Sequence, residues 1–394
     1  MRVLFLTHRL PYSPNRGDRV RAFHLLTALH RCATVDLVSL VHSSQEAAES
    51  HRISGLVESL DLCRTPTIRN YVNAALRLGT RETLTHLLLD SPDVLPALQR
   101  VVARNPPDVV LAYCSGMGRF ALHPVLAEFP LVVDMVDVDS MKWRDLGLRR
   151  GGPMGWIYRR EARLLSEFEG ALSMHARATT VVTHREASDL QRLAPGARVL
   201  VSPIGVDADR LRPPSPPEDS QDVVFCGVMN YGPNEDAATW VVREVWPAVR
   251  KRKPGARLLL VGADPSTRVR HLASSADRVE VTGTVDDVRP YLWKAALAIA
   301  PLMTARGTQT KVIEAAGCGL PSVITKIVAM GLPESILATC VTANSPGAFA
   351  DAVVTLLETP PAERRALAER AGLSRLSWES TLEPLLTAVK SAAQ

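Results

Sequence analysis

Short apolar runs rich in β-branched residues alternate along this chain with longer stretches whose apolar side chains recur at helical spacing. In the first half, the runs predict strands at Val3–Thr7, Thr34–Val41, Val109–Tyr113, Leu131–Asp137, Thr179–Thr183 and Val199–Pro203. The helical patterns between them include Asp18–His30, Trp156–Met174 and His184–Leu193. Strands that alternate with helices favour parallel sheets covered on both faces.

A polar stretch with four prolines, Asp207 to Ser220, interrupts this alternation, and we expect no helix or strand interior there. Beyond it the pattern predicts strands Asp222–Cys226, Arg257–Gly262, Val279–Thr282, Ala296–Pro301 and Pro321–Thr325, and helices Glu235–Lys251 and Lys311–Gly317. The chain is therefore predicted to be α/β, with two doubly wound Rossmann-like domains that face each other across a ligand cleft. The predicted divisions are residues 1–206, a linker 207–221, residues 222–372, and a helical tail 373–394 that packs back on the first domain.

Composition excludes several classes of protein. A chain of 394 residues with 46% hydrophobic and 22% charged residues is typical of soluble globular proteins. Its six cysteines lie far apart without a CxxC pair, which argues against a zinc site or a disulfide framework and favours a reducing cytoplasm. The apolar start is too short for a signal peptide, and no run is long enough for a membrane span.

The net charge of +5 arises entirely within residues 1–206. This excess is consistent with attraction to an anionic acceptor or to the cytoplasmic face of a membrane, and equally with no function at all. Nucleic acid is not an expected partner, because no basic cluster is interleaved with aromatic residues.

The most informative segment follows the strand that ends near Pro301. A loop with Arg306 and Gly307 leads into a helix that Thr308 or Thr310 is predicted to cap and that Gly317 or Gly319 is predicted to end. The start of such a helix attracts anions, and Arg306 and Lys311 would add positive charge suited to a diphosphate. Glu314 shares a helix face with Lys311 and is placed to accept from two ribose hydroxyls. The alternative is a solvated Lys311–Glu314 pair on a surface helix.

The run from Glu314 to Val323, EAAGCGLPSV, resembles the donor-site signature of retaining GT-B glycosyltransferases of family 4. That family usually has a second Glu eight residues earlier, where this chain has Arg306, so the resemblance leaves the role of Arg306 open. The pattern ARGxxxKVxEA is similar to that of sugar transferases associated with exosortase/PEP-CTERM exopolysaccharide clusters, as are stretches near residues 11–26, 136–143 and 285–292.

The resemblance implies further donor contacts. It implies that Gly205, in the turn PIGVD, approaches the donor, and that the loop Gly283, Thr284 and Val285 contacts the nucleotide base. The loop after the first strand of the second domain holds Gly227 and Asn230, which either contact the donor or form an ordinary polar turn. Gly17, which follows the first strand, either admits a phosphate or sugar or is a plain turn residue.

Asp134, Asp137 and Asp139 follow one another at the end of a predicted buried strand, with Asp137 and Asp139 on one face. They are candidates to orient acceptor hydroxyls, to act as a base, or to cap the next helix, and His8 is the histidine expected nearest the cleft. The resemblance implies metal-independent front-face transfer without a protein nucleophile. The function expected is therefore transfer of a sugar from a nucleotide-diphosphate sugar, with no other cofactor. A sugar-nucleotide epimerase and a catalytically silent sugar-binding protein are the alternatives.

Overall fold

The computed structural model describes residues 1–12, 17–216 and 219–394. The chain divides into two compact units, Met1–Gly205 with Trp378–Gln394, and Val206–Ser377. The predicted linker is not irregular throughout, because Ala208–Leu211 forms a short helix whose start is capped by Asp207. The prolines of this stretch all lie after that helix, so they do not oppose it.

The first unit is built on a seven-stranded parallel sheet in the order β3-β2-β1-β4-β5-β6-β7. Its strands are β1 (Arg2–Thr7), β2 (Thr34–Val41), β3 (Ser59–Arg64), β4 (Val109–Tyr113), β5 (Leu131–Val136), β6 (Ala178–Val181) and β7 (Val199–Val201). Its helices include α1 (Gly17–His30), α2 (Ser44–Ala48), α3 (Thr67–Leu76), α4 (Leu84–Leu88), α5 (Val94–Arg104), α6 (Ser115–Ala121), α7 (Asp139–Arg149), α8 (Gly152–His175) and α9 (His184–Leu193). Single 3-10 turns lie at Glu49–Arg52, Ser54–Leu56 and Pro124–Leu126.

The second unit is built on a six-stranded parallel sheet in the order β10-β9-β8-β11-β12-β13. Its strands are β8 (Asp222–Cys226), β9 (Arg257–Val261), β10 (Val279–Gly283), β11 (Leu297–Ala300), β12 (Ser322–Ile324) and β13 (Cys340–Thr342). Its helices are α10 (Ala208–Leu211), α11 (Gly232–Trp240), α12 (Trp246–Arg252), α13 (Thr267–Ser275), α14 (Arg289–Lys294), α15 (Thr310–Gly317), α16 (Lys326–Ala329), α17 (Glu334–Leu337), α18 (Pro346–Glu358) and α19 (Pro361–Glu369). A 3-10 turn, Leu373–Leu376, precedes the return of the chain to the first unit.

The last helix, α20 (Trp378–Ala392), packs within the first unit. Its side chains Leu382, Leu385 and Val389 are buried together with Leu25 and Leu29 of α1. This helix completes the apolar layer on one face of the seven-stranded sheet, because the same cluster contains residues of β1, β2 and β4.

Both sheets confirm the prediction of two Rossmann-like domains, and most strand bounds agree within two residues. Two edge strands, β3 and β13, were not predicted, since both are mostly half-buried and β13 has only three residues. The single helix predicted over Glu235–Lys251 is instead α11 and α12 joined by a π-helical turn at Val241–Val245. Pro247 explains the break, because it has no amide hydrogen to donate to the preceding turn.

Candidate functional site

The strand order of the second unit changes direction between β8 and β11. The loops that follow two such strands diverge and leave a crevice at the carboxyl edge of the sheet. The loop after β8 begins at Gly227, and the loop after β11 spans residues 301–309 and leads into α15. The predicted donor segment therefore lies at the switch point of this sheet.

Two glycine backbones meet where β8 and β9 end. Gly262 has a φ of +143°, and a Cβ there would lie 1.9 Å from the carbonyl oxygen of Gly227. A Cβ on Gly227 would lie 2.7 Å from Nδ2 of Asn234 and 3.1 Å from Nζ of Lys311. Only glycine allows this approach of the two strand ends and leaves room for the lysine. Gly262 was not among the predicted site residues.

Lys311 is held at this point by a side chain from α11. Its Nζ donates to Oδ1 of Asn234 at 2.7 Å and lies 4.9 Å from the centroid of the Phe225 ring. The amide of Asn234 is oriented in turn, because its Nδ2 donates to the carbonyl oxygen of Val228 at 2.9 Å. Burial lowers the pKa of Lys311 to about 8. An anion bound here would favour the charged ammonium and reverse that effect.

Glu314 lies one turn further along α15 and is half-buried. Burial raises the pKa of its carboxyl group, and the charge of Lys311 opposes this. Within the described residues its carboxylate forms no hydrogen bond or ion pair, so its acceptor oxygens are available to a ligand. A solvated Lys311–Glu314 pair does not describe this helix, because both side chains are half-buried and Lys311 bonds to Asn234.

The start of α15 has Gln309 in the cap position and no side-chain cap. The prediction that Thr308 or Thr310 caps the helix is wrong. Thr310 is already its first residue, and Thr308 offers its main-chain carbonyl, which accepts from the Thr310 amide at 3.1 Å. The Gln309 side chain donates to the carbonyl oxygen of Arg306 at 3.2 Å. Among the described residues, no side-chain cap therefore satisfies the first amides of this helix, whose positive end stays available to an anion.

The predicted glycine stop of α15 is confirmed. Gly319 has a φ of +78°, and its amide donates to the carbonyl oxygen of Ala316 at 2.9 Å. The amide of Leu320 donates to the carbonyl oxygen of Ala315 at 2.9 Å. This pair of bonds is a Schellman motif, which needs a residue in the left-handed region.

The loop before α15 is held close to a neighbouring loop. Gly307 has a φ of +62°, and a Cβ on Gly331 would lie 2.2 Å from the Gly307 carbonyl oxygen. The hydroxyl of Thr325 donates to the carbonyl oxygen of Leu302 at 2.5 Å. Arg306 lies in this loop and is half-buried, near the start of the helix as predicted.

The loop after β10 reaches the same edge of the sheet. Gly283 has a φ of +74° with open space where a Cβ would be. The hydroxyl of Thr282 donates to the Gly283 carbonyl oxygen at 2.9 Å and accepts from the Gly262 amide at 3.4 Å. Thr284 is exposed and Val285 is half-buried. The three residues predicted to contact a base therefore lie at the end of β10. This strand is two positions away in the sheet from β8, whose end is beside Lys311.

The remaining residues predicted to contact the donor are Asn230 and Gly205. Asn230 is exposed, and it is Asn234 that meets Lys311. Asn234 shares a helix face with the buried Ala237 and Ala238, and this spacing was the signal that could have identified it. Gly205 belongs to the first unit, where a Cβ would lie 2.6 Å from the Trp378 ring, so packing against α20 accounts for glycine there.

The first unit has its own switch point between β1 and β4. His8 follows β1 and stacks on Tyr113 at the end of β4, with ring centroids 5.7 Å apart and planes at 9°. The next residue, Cys114, has a φ of +69°. Gly17 is the first residue of α1, whereas Arg16 and the loop before it lie outside the described residues.

Asp134 does not point into an open site. Its carboxylate accepts from Nε of Arg21 at 2.8 Å and from the Thr180 hydroxyl at 2.8 Å, and both Arg21 and Asp134 are fully buried. Arg21 also donates to Oγ of Ser202 and to the carbonyl oxygen of Pro203, each at 2.9 Å. This carboxylate therefore ties α1 to β5, β6 and the segment after β7.

The prediction that Asp137 and Asp139 share one face of a strand is wrong. β5 ends at Val136, whose φ is +67°, and the amide of Asp137 donates to the carbonyl oxygen of Met135 at 2.9 Å. Asp139 is instead the first residue of α7 and accepts from the Ser115 hydroxyl at 3.3 Å. Neither carboxylate caps that helix, because Val138 is in the cap position.

Asp137 is nevertheless the distinctive acid of this region. Burial, together with the charges of Glu186 and Asp139, raises the pKa of Asp137 to about 7. Its Oδ1 is buried and has no hydrogen-bond partner among the described residues. A carboxyl group of this kind can exchange a proton near neutral pH or accept from a ligand hydroxyl. No three His, Cys, Asp or Glu side chains gather as a metal site anywhere in the described ranges.

Comparison with protein families matches both units. The model of the Glycosyl transferase 4-like domain matches residues 16–205, and the model of Glycosyl transferases group 1 matches residues 220–359. No curated protein sequence matches the chain.

Solved structures share the fold over its full length. The crystal structure of Anabaena Alr3699/HepE in complex with UDP and glucose is 14% identical, with a TM-score of 0.69 over 99% of this chain and 100% of that one. WaaG, a glycosyltransferase involved in lipopolysaccharide biosynthesis, is 16% identical, with a TM-score of 0.65 over 98% of each chain. The α,α-trehalose 6-phosphate synthase of Burkholderia multivorans is 13% identical, with a TM-score of 0.66 over 100% of this chain and 99% of that one. With glycosyltransferase domains in both units and this shared fold, the chain belongs to the GT-B glycosyltransferases.

Proposed function

We propose that the protein is a retaining, metal-independent hexosyltransferase of family 4, in the exosortase/PEP-CTERM-associated sub-branch. It moves a sugar from a nucleotide-diphosphate sugar to a saccharide or lipid-linked acceptor in exopolysaccharide or cell-surface glycan synthesis. The observation that carries the proposal is Lys311, a half-buried lysine oriented by Asn234 beside Gly227 at the switch point of the second unit. We place the protein in the cytoplasm, in weak association with the inner membrane face.

The donor diphosphate would bind at the start of α15. Lys311 and the uncapped helix end supply positive potential there, and Arg306 adds charge from the preceding loop. As the bond from the anomeric carbon to the phosphate oxygen breaks, negative charge grows on the leaving diphosphate. Groups already oriented towards that charge lower the barrier without further reorganisation.

The nucleoside would be bound by the other groups of this edge. Glu314 has unpaired acceptor oxygens that suit two ribose hydroxyls, and the main chain at Gly283, Thr284 and Val285 suits the base. Gly227 and Gly262 let the donor approach the strand ends closely, because neither has a side chain to exclude it. No resident cofactor is part of the proposal.

The acceptor would be oriented by the first unit. The bond between its hydroxyl oxygen and the anomeric carbon forms on the face from which the diphosphate leaves, and the proton passes to that diphosphate. No protein nucleophile is needed. Asp137, whose pKa is raised to about 7, would accept a hydrogen bond from the acceptor and hold its hydroxyl in place.

The relatives favour a uridine nucleotide and a hexose. HepE structures contain UDP with glucose, and UDP-glucose. WaaG is involved in lipopolysaccharide biosynthesis, which is consistent with a cell-surface glycan as the product of this chain. We therefore expect UDP-hexoses to bind before other sugar nucleotides.

The test combines binding with turnover. A panel of nucleotide sugars should raise the melting temperature of the protein selectively, since a ligand of the folded state stabilises it by mass action. Lys311→Ala and Glu314→Ala should each lower transfer roughly 10²–10³-fold, with the fold intact by circular dichroism. Epimer formation from a UDP-sugar without acceptor would identify an epimerase instead. Binding without hydrolysis or transfer in any acceptor screen would identify a silent sugar-binding protein.

A further inference from the structure

Helix α3 of the first unit carries an apolar stripe on its outer surface. The exposed fractions are 84% for Ile68, 63% for Tyr71, 53% for Val72 and 78% for Leu76. At about 100° per residue, these positions fall within one arc of the helix. Four large apolar side chains exposed side by side on ten residues are unusual for a surface that faces only water.

The opposite face of α3 is turned inward although it is partly polar. Asn70 is fully buried, and its Nδ2 donates to the carbonyl oxygens of Leu88 at 3.1 Å and Asp90 at 2.8 Å. Ala74, one turn later, is also buried. A surface helix usually buries its apolar face, whereas α3 exposes it. The hydrogen bonds of Asn70 fix the rotation of α3 about its axis, so that the apolar stripe stays on the outside.

The segment that contains the stripe is rich in arginine. Residues 64–81 contain four arginines and no Asp or Glu, namely Arg64, Arg69, Arg77 and Arg81. Arg77 and Arg81 pair with acids outside this segment, while the side chains of Arg64 and Arg69 form no ion pair within the described part of the chain. Apolar side chains flanked by unpaired arginines match a surface with anionic headgroups above an apolar layer.

The same unit has a second group of exposed apolar side chains. Leu148, Met154 and Trp156, at the junction of α7 and α8, are 75%, 43% and 52% exposed. Arg160, one turn after Trp156 on α8, donates to the carbonyl oxygens of Thr80 and Glu82 in the loop between α3 and α4. These bonds hold the first half of α8, which contains Trp156, against the loop that follows α3.

We propose that the apolar stripe of α3, together with the exposed Trp156 of α8, docks the protein on an anionic lipid surface. The helix would lie in the plane of the interface, with Ile68 and Leu76 in the acyl boundary and Arg69 at the headgroups. Among the described helices none is long and apolar enough to cross a membrane, so the contact is one of surface attachment. This inference holds whether or not the proposed sugar transfer is correct, because it uses none of the donor or acceptor residues.

The test measures binding of the full chain to vesicles. We expect co-sedimentation with vesicles of phosphatidylglycerol and phosphatidylethanolamine, weak binding to pure phosphatidylcholine, and release by salt. Ile68→Ser with Leu76→Ser should weaken binding at least about tenfold, and Arg64→Gln with Arg69→Gln should weaken it and reduce its salt dependence. Tryptophan emission should shift to the blue on binding, and the shift should be lost in Trp156→Phe.

The matched control is Met174→Ser, which removes an exposed apolar side chain from the same unit away from α3. It should bind vesicles as the unchanged protein does, and all variants should keep the same melting temperature and UDP affinity. Equal vesicle binding by the unchanged protein and the Ile68/Leu76 variant would overturn the proposal, as would no binding to anionic vesicles. A dimer in solution that the Ile68/Leu76 variant dissociates would also overturn it and assign the stripe to a second copy of the chain.

Discussion

At the scale of single residues, the burial of Lys311 predicts that ligand affinity depends on pH. Its pKa is lowered to about 8, so in the free protein the ammonium loses its proton as pH rises through that value. A diphosphate binds the charged form, which predicts that the affinity for UDP falls by up to about tenfold per pH unit above pH 8. Isothermal titration calorimetry with UDP across this range measures the effect directly.

Two substitutions separate this lysine from other titrating groups. Lys311→Arg keeps its charge throughout the range, so its UDP affinity should show no decline near pH 8. Lys311→Ala should bind UDP weakly at every pH and show no such decline either. An unchanged pH dependence in both variants would assign the titration to a different group.

Asp137 offers a second prediction, on stability. Its pKa is about 7 in the folded protein against an ordinary 3.8, so the folded state holds the proton more tightly. The free energy of unfolding should therefore fall as pH rises from about 4 to 7, because the buried carboxyl must either ionise or keep a proton that the unfolded chain releases. Asp137→Asn removes this cost and should be more stable than the unchanged protein at pH 8, by about 2–4 kcal/mol.

Urea unfolding at pH 4 and pH 8 tests this. The difference in stability between the two proteins should be much smaller at pH 4, where the Asp137 carboxyl is protonated in the folded state and still partly protonated in the unfolded chain. Glu128→Gln, at an exposed acid of the same unit, is the control and should change stability little at either pH. A variant that is less stable at pH 8 would show that the carboxylate is paired in solution.

At the scale of elements, the contact between Gly262 and Gly227 fixes how β8 and β9 end. A Cβ at residue 262 would overlap the Gly227 carbonyl oxygen, and the φ of +143° excludes other residues independently. Gly262→Ala should therefore push the two strand ends apart, destabilise the second unit by about 2 kcal/mol or more, and weaken UDP binding at least about tenfold.

The matched control is Gly347→Ala in α18, where no atom lies within 4 Å of the added Cβ. Alanine is the better helix former, so this variant should be as stable as the unchanged protein or slightly more so. Thermal melting with and without UDP distinguishes the two variants. Normal UDP affinity in Gly262→Ala would show that the strand ends do not border the donor site.

The sequence pattern predicted correctly those parts of the structure that depend on residues close together in the chain. Alternation of apolar runs and helical stretches predicted both sheets, and the segment up to Glu314 was identified because its strand, loop and helix are consecutive. Asn234 was missed, because its contact with Lys311 joins residues 77 positions apart. Strand periodicity failed after Val136, where Glu186 accepts from the Val138 amide and Val182 donates to the Val136 carbonyl oxygen. Hydrogen bonds of this kind come from elements distant in the sequence. They change the direction of the chain, and the alternation of side chains cannot predict them.

At the scale of the whole molecule, the chain leaves its first unit at Gly205 and returns to it at Trp378. The return helix α20 supplies Leu385, which is fully buried in the core of that unit. The two units have separate cores, so a ligand of one stabilises that unit by mass action. UDP should accordingly raise the melting transition of the second unit, which contains Lys311 and Glu314.

Leu385→Ala should therefore separate the unfolding transitions of the two units. Loss of a fully buried leucine creates a cavity and costs about 2–5 kcal/mol, and this cost falls on the first unit because the Leu385 contacts lie there. Differential scanning calorimetry should show an earlier transition that UDP does not move and a later one that UDP still raises. Glu383→Ala, at an exposed position of the same helix, should leave both transitions in place. A single transition lowered by Leu385→Ala and raised as a whole by UDP would instead mean that the units unfold together, and that the last helix stabilises the donor site through the entire chain.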